Sequence, residues 1–189
     1  DRPRTQNDMK DSGRQEVIKV SRLVKAFGNF RAVDDISFNV RKGEIFGFLG
    51  ANGAGKTTAM RMLTGLSRPT SGHAEVAGFD VAAQHEQVKR HIGYMSQKFS
   101  LYGDLTVKEN LRLFGGIYGM AENDIKRKSR EAVERLDMKA LEDTLVRELP
   151  PGWKQKIAFT VSIMHNPEVV FLDEPTGGVD PKTRQQFWR

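Results

Sequence analysis

The chain has 189 residues, of which 38% are apolar and 29% are charged, with a formal net charge of +6. This length suits one domain of ordinary size with a sizeable core. The absence of cysteine excludes disulfides, cysteine-based zinc sites and thiol catalysis. No stretch approaches the roughly 20 apolar residues of a membrane-crossing helix. Any work at a membrane is therefore expected on its surface or on a partner within it.

The first residues are polar and lack the apolar segment of a secretory signal. We expect residues 1–15 to be a disordered tail or linker and residues 16–189 to be the folded domain. Because the chain starts at Asp1 rather than at methionine, we expect it to be a piece of a longer protein. Its basic residues are interleaved with acidic ones, which favours a solvated surface over a nucleic-acid site.

Strands are predicted at the start of the folded region. Residues 17–20 and 32–40 have strand patterns, and Gly28-Asn29 between them indicates a turn. Residues 45–49 form a continuous apolar run bounded by turn residues. Such a run is typical of a strand that is buried on both faces, as in a parallel sheet.

A phosphate-binding loop follows this run. It comprises Gly50, Ala51, Asn52, Gly53, Ala54, Gly55, Lys56, Thr57 and Thr58, of which the first eight match G-x-x-x-x-G-K-[ST]. The glycines let backbone N–H groups turn towards phosphate oxygens. Lys56 supplies a mobile positive charge, and Thr57 offers a hydroxyl to Mg²⁺. A predicted helix over residues 56–66 adds its positive end. This context disfavours the alternative of a glycine turn with an incidental lysine.

The second half alternates helices with one strand. Helices are predicted over residues 106–118, 124–141 and 152–165, and another is predicted to start at Asp180-Pro181. Thr106 followed by Glu109 is a capping-box signature. Strands that alternate with helices predict an α/β sheet, with a helical insert between Gln97 and Leu149.

Two carboxylates end the predicted buried strand at 169–172. Such a strand delivers Asp173 and Glu174 to the sheet edge where ligands bind in open α/β folds. Adjacent strand residues face opposite ways, so the two side chains are expected to have distinct tasks. Asp173 is predicted to hold Mg²⁺ through water, and Glu174 to polarise the attacking water. Alone, this would be an ordinary strand end; the phosphate loop upstream favours the catalytic interpretation.

Three stretches, GANGAGKTT at 50–58, YMSQ at 94–97 and FLDEPTGGVD at 171–180, resemble the nucleotide-binding domain of ABC transporters. The resemblance covers nearly everything after Glu16. It implies a P-loop NTPase (RecA-like) core with an N-terminal antiparallel β subdomain and an inserted α-helical subdomain at about 99–150.

The same resemblance implies ATP and Mg²⁺ as cofactors. It gives catalytic roles to Glu174, Lys56 and Gln97. It also implies Thr57, Gln97 and Asp173 as metal ligands. Phe27 stands where the family carries an aromatic residue that stacks on adenine, although aromatic residues are more often packing residues.

The stretch from Ser100 to Leu111 resembles the exporter branch whose membrane subunits are of the ABC-2 type. This implies integral membrane permease partners that contact the helical subdomain, and a second ABC ATPase domain in a head-to-tail dimer. It further implies a peripheral location on the cytoplasmic face of the bacterial inner membrane, and no nucleic-acid partner.

Two features depart from the family pattern. The usual LSGGQ signature is replaced by LPPGW at 149–153, so Pro150 stands in place of the serine and Pro151 lacks a backbone N–H. The form L-P-x-G-W-K-Q resembles a subset of exporters with two fused ATPase domains. The family's switch histidine would lie beyond Arg189. His165 precedes the acidic pair and is expected to be a helix-end residue.

The leading hypothesis is an ATP-hydrolysing motor domain that powers export, with weak activity expected of the isolated fragment. One alternative is a nucleotide-binding regulatory domain with a degenerate signature. Another is a soluble ABC-type ATPase that acts on nucleic acid or ribosomes. An unrelated kinase or GTPase is disfavoured, because the sequence lacks N-K-x-D and carries Pro175-Thr176 after the acidic pair.

Overall fold

The computed structural model describes residues 15–48, 53–95 and 101–173. The chain divides into two compact units, Asp1–Lys89 and Arg90–Arg189. Of the predicted tail, Gln15 alone lies within the described ranges, where its carbonyl accepts a hydrogen bond from Lys42 N at 2.9 Å. The predicted helix at Asp180-Pro181 lies outside them.

An antiparallel sheet forms the body of the first unit. Its strands are β1 (Glu16–Phe27), β2 (Phe30–Arg41), β3 (Ser71–Val76) and β4 (Phe79–Asp80), in the order β2-β1-β3-β4. Apolar residues along β1, among them Val20 and Leu23, are buried. The hairpin turns at Gly28-Asn29, where Gly28 has a φ of 58° that suits glycine. The predicted strands and the turn between them are confirmed.

Residues 45–48 do not form the predicted buried strand. Ile45 is 100% exposed, and the rings of Phe46 and Phe48 pack against Phe38 with centroid distances of 4.8 and 5.4 Å. A strand needs a neighbour to take its backbone hydrogen bonds. Among the described residues no strand pairs with this segment, so the prediction is wrong for 45–48; Leu49 lies outside the described ranges.

Helix α1 (Lys56–Leu63) begins within the phosphate-loop motif. It is held by its buried residues Ala59, Met62 and Leu63. The helix ends three residues before the predicted Leu66, because Gly65 takes a left-handed φ of 71° and its N–H bonds Met62 O at 3.0 Å. A short helix, α2 (His85–His91), crosses the boundary between the units.

The second unit combines a two-stranded parallel sheet with helices. The strands are β5 (Ile92–Met95) and β6 (Val169–Leu172), and the helices are α3 (Val107–Ile117), α4 (Glu122–Arg135) and α5 (Pro151–Ile163), with short 3₁₀ turns at Lys139–Leu141 and Val146–Glu148. The helices share an apolar core of Val107, Leu111, Val133, Met138, Val146, Leu149, Ile157, Val161 and Met164. No helix in the described ranges is long and apolar enough to cross a bilayer.

Local signals set the ends of these elements. The capping box is confirmed: Thr106 Oγ1 accepts from Glu109 N at 3.3 Å, and Glu109 Oε2 accepts from Thr106 N at 2.8 Å. The helix predicted to reach Leu141 ends at Arg135 instead, since Asp137 has a left-handed φ of 52°. Strand β6 is buried on one face only, because Val170 is 40% exposed.

In the second unit, β5 and α5 pack with backbone atoms in direct contact. A Cβ built on Gly93 in β5 would lie 2.2 Å from the carbonyl oxygen of Ser162 in α5. Only glycine permits this approach. Helices α3 and α4 fall within the expected insert at about 99–150. That this insert is a separate subdomain stays a prediction.

Candidate functional site

The described part of the phosphate loop runs from Gly53 into α1, while Gly50, Ala51 and Asn52 lie outside the described ranges. Gly53 and Gly55 have φ values of 83° and 81°, in the left-handed region that side chains disfavour. Gly55 is the residue that immediately precedes the first helical residue. The two glycines therefore give the backbone the turn that leads from the loop into the helix.

Gly55 also touches the sheet. A Cβ at this position would lie 2.0 Å from the carbonyl oxygen of Ala32 and 3.3 Å from the side chain of Val33, both in β2. No side chain fits in that space. The start of α1 is thus pressed directly onto the backbone of β2, which fixes the position of the loop's last residues.

The first turn of α1 suits an anion. Gly55 provides no side-chain cap, and no acidic residue lies in the first turn. The positive end of the helix is therefore not neutralised by its own first turn. Lys56 is half-buried, Ala54 and Thr57 are exposed, and Thr58 is half-buried. Backbone amides, an ammonium and a hydroxyl are the groups that bind phosphates and their Mg²⁺.

Phe27 ends β1 at the hairpin and is 57% exposed. It is therefore not a core residue, as the packing alternative required. Its neighbour Lys25 places its Nζ 5.2 Å from the ring centroid, a contact that no sequence pattern indicates. The stacking of Phe27 on adenine stays a prediction.

Asp173 follows β6 in the second unit and is only 6% exposed. Its N–H donates to Met95 O at 2.9 Å, which continues the β5–β6 ladder. Within the described ranges, no group donates a hydrogen bond to its buried Oδ2. A buried carboxylate oxygen without a protein donor is costly. It fits the predicted Mg²⁺ role, because Mg²⁺ prefers carboxylate and water oxygens.

Gln97 and Glu174 lie outside the described residues. In the sequence, they come shortly after β5 and β6, whose parallel pairing sets the carboxyl ends of both strands at one edge. That edge is where open α/β sheets bind ligands. Their assigned roles stay predictions.

The stretch at 149–153 opens α5. Leu149 is buried, Pro150 is the N-cap residue without a side-chain bond, and Pro151 begins the helix. Trp153 packs against the helical core, and Lys156 Nζ lies 4.9 Å from its ring centroid. These contacts anchor the helix start through Leu149 and Trp153 rather than through a capping serine.

A second polar residue outside the predicted set organises the loop before α3. Asn110 is fully buried, and its side-chain amide accepts from Tyr102 N at 2.8 Å. It donates to the carbonyls of Tyr102, Leu105 and Thr106 at 3.0, 3.3 and 2.9 Å. The loop at 101–106, part of the exporter-like stretch, is thereby held on the first turns of α3.

Comparison with known proteins decides the family. The family model described as ABC transporter matches residues 33–177. The chain belongs to this family. Its members are P-loop NTPases, which agrees with the fold class predicted from the sequence.

Among curated ABC proteins, the chain is 48% identical over 174 residues to the probable multidrug ABC transporter ATP-binding protein YbhF of Escherichia coli (strain K12), covering 92% of this chain and 30% of that protein. It is 36% identical over 178 residues to the Nod factor export ATP-binding protein I of Ralstonia nicotianae, covering 93% of this chain and 55% of that protein. The chain thus spans between about a third and about half of these relatives.

A solved ATP-binding cassette of an ABC transporter, in its ADP conformation, superposes with a TM-score of 0.79 at 25% identity. The match covers 92% of this chain and 74% of that one. The phosphate loop and the exposed Phe27 of this ABC domain therefore lie in a fold for which a nucleotide-bound form is known.

Proposed function

We propose that this chain is the ATP-binding and hydrolysing motor domain that powers export by an ABC transporter. One observation carries the proposal: α1 begins with an uncapped turn, free of acidic residues, directly behind a left-handed glycine that is pressed onto β2. This arrangement presents backbone amides with Lys56 and Thr57 to a polyanion.

Each predicted residue has a task in this proposal. The amides of residues 50–58 and the Lys56 ammonium bind the phosphates, and the exposed ring of Phe27 stacks on the adenine. Thr57, Gln97 and Asp173 hold Mg²⁺, and Glu174 orients the attacking water. When bound, Mg²⁺ supplies positive charge that offsets the charge on the phosphates. Little covalent chemistry is left to the protein, whose contribution is position and charge.

The names of two relatives support export as the process that ATP hydrolysis drives. One is a probable multidrug ABC transporter ATP-binding protein, and the other is a Nod factor export ATP-binding protein. In this proposal, a second ABC ATPase domain packs head to tail against the chain, and permease subunits contact the helices at about 99–150. The chain then works peripherally on the cytoplasmic face of the membrane.

The start of α5 favours a second candidate, a regulatory nucleotide-binding domain. Pro150 provides no side-chain cap, and Pro151 has no N–H. This position therefore offers fewer donors to a phosphate than a serine-glycine pair would. Replacing Pro150→Ser, Pro151→Gly and Trp153→Gln together restores LSGGQ. A large gain in hydrolysis by the full-length protein would favour the regulatory role, and no gain would favour the motor.

Two substitutions test the proposed motor. Lys56→Ala is expected to weaken binding of a fluorescent ATP analogue. Glu174→Gln is expected to keep that binding while lowering phosphate release on the order of a hundredfold or more, the usual contribution of a general base. Glu168→Gln changes an exposed carboxylate just before β6 and serves as the matched control. Wild-type phosphate release from Glu174→Gln would refute the assigned role.

A further inference from the structure

Lys25 and Phe27 form a contact at the exposed end of the β1–β2 hairpin. The Lys25 ammonium lies over the Phe27 ring, 5.2 Å from its centroid, within the range of a cation–π interaction. Lys25 itself is half-buried, whereas Phe27 is exposed. The ammonium therefore covers one face of the ring.

The ammonium is itself fixed. Lys25 Nζ donates to the carbonyl oxygen of Arg68 at 2.7 Å, in the segment that follows α1. The same segment holds the strand around it, since Thr70 N donates to Val24 O at 2.8 Å and Ala26 N donates to Thr70 Oγ1 at 3.0 Å. These hydrogen bonds tie this part of β1 to the loop that follows the phosphate-binding helix.

No acidic side chain competes for this charge. Across the described ranges, no carboxylate lies within ion-pair distance of Lys25, whereas Lys19 on the same strand is 3.7 Å from Glu75. An ammonium without a carboxylate partner keeps its full attraction for the ring quadrupole.

We infer that Lys25 is a positioning residue for the nucleobase, which holds the Phe27 ring so that its uncovered face stacks on a purine. This inference rests on the proposed function, since it needs ATP at the adjoining phosphate loop. Stacking on an aromatic side chain tolerates different bases but requires a flat, available face. Lys25 occupies the other face and leaves that one open.

The experiment compares a ligand that has a base with one that lacks it. Lys25→Met keeps most of the apolar stem and removes the charge, Lys25→Arg keeps the charge, and Lys19→Met is the control on the same strand. The dissociation constants of Mg²⁺-ATP and Mg²⁺-tripolyphosphate are measured for each variant by calorimetry. Folding is checked by circular dichroism.

For Lys25→Met, we expect ATP binding to weaken about two- to fivefold, the fold-change that corresponds to an exposed cation–π contact. Tripolyphosphate binding should be unchanged, Lys25→Arg should restore ATP binding, and Lys19→Met should match the wild type. Equal losses for both ligands, or no loss for ATP, would overturn the inference. Lys56→Ala separates the two proposals. If the phosphate loop does not bind the nucleotide, this variant keeps the wild-type affinity for both ligands.

Discussion

Gly55 and Ala32 approach so closely that a methyl group on Gly55 would lie 2.0 Å from the Ala32 carbonyl oxygen. The last glycine of the phosphate loop is thus required by the sheet as well as by the loop. Gly53, two residues earlier, has nearly the same left-handed φ, but among the described residues no atom other than those of its chain neighbours lies within 4 Å of its Cβ position. A comparison of alanine variants at the two positions therefore measures the cost of a left-handed backbone apart from the cost of a steric clash.

We expect Gly55→Ala to lower the free energy of unfolding by about 2–5 kcal/mol, the sum of a left-handed alanine and an overpacked contact. Gly53→Ala should cost about 1–2 kcal/mol, from the left-handed conformation alone. Urea denaturation followed by circular dichroism measures both. Equal losses in the two variants would show that α1 does not press on β2 as described.

Removal of the Asp173 carboxylate should affect the metal more than the nucleotide. Because its Oδ2 is buried without a donor among the described residues, we expect Asp173→Asn to weaken the Mg²⁺-dependent part of ATP binding by about 10- to 100-fold. ATP binding in EDTA should stay as in the wild type. The control is Asp143→Asn, a change to an exposed carboxylate that pairs with Lys108. Loss of binding in EDTA as well would argue for a structural role instead.

Asn110 should be among the most costly polar residues to replace. Asn110→Ala removes four hydrogen bonds at a fully buried position. Tyr102 N then loses its acceptor, while the carbonyls of Tyr102, Leu105 and Thr106 keep a backbone donor but lose the Asn110 amide, at a cost of about 2–4 kcal/mol. Asn39→Ala, at an exposed position with one bond to Glu16, should change stability by less than about 0.5 kcal/mol. Chemical denaturation compares the two, and similar small effects would contradict the role of Asn110.

His165 should make stability depend on pH. Its Nε2 lies 2.9 Å from the Ile92 carbonyl, which can only accept, so Nε2 carries the proton. Its Nδ1 is buried without a partner among the described residues, and burial lowers the pKa of His165 below its ordinary value of 6.5. Protonation at Nδ1 therefore favours the unfolded chain.

The neutral form of His165 thus contributes stability that is fully present above the unfolded pKa, which is near 6.5, and is lost as pH falls through the lowered folded pKa. We expect urea midpoints of the wild type to fall more between about pH 7.5 and pH 5.5 than those of His165→Gln. Parallel pH profiles for the two proteins would be the contrary result. The ring also stacks on Tyr118, with centroids 3.9 Å apart, so the variant is expected to be less stable at every pH.

Local sequence signals predicted most of the elements in the described ranges. Alternating apolar residues around Gly28-Asn29 were enough for the hairpin, and Thr106 with Glu109 was enough for the start of α3. The run at 45–49 was misleading, because an apolar run reports a tendency to be buried and cannot specify a partner strand. The burial predicted for Val170 was wrong for the same reason, since only one face of β6 is buried.

The candidate site, too, was predicted from the sequence only in part. The phosphate loop has a spacing that its chemistry demands, so the sequence alone predicted it. Lys25 could not be predicted, because its position depends on the Arg68 carbonyl, 43 residues later in the chain. Asn110 lay in the exporter-like stretch and in a helical pattern, but neither assigned it a role. Its importance comes from its four hydrogen bonds to the backbone of the 101–106 loop, which no periodicity in the sequence records.

The backbone contact between Gly93 and Ser162 has a mechanical consequence. Helix α5 and strand β5 meet there through backbone atoms, and the next link, from Asp173 N to Met95 O, is again backbone to backbone. Both contacts are made by backbone atoms and do not depend on a side-chain rotamer. We therefore expect a displacement of the last turn of α5 to reach β5 and the backbone of Asp173 through these contacts.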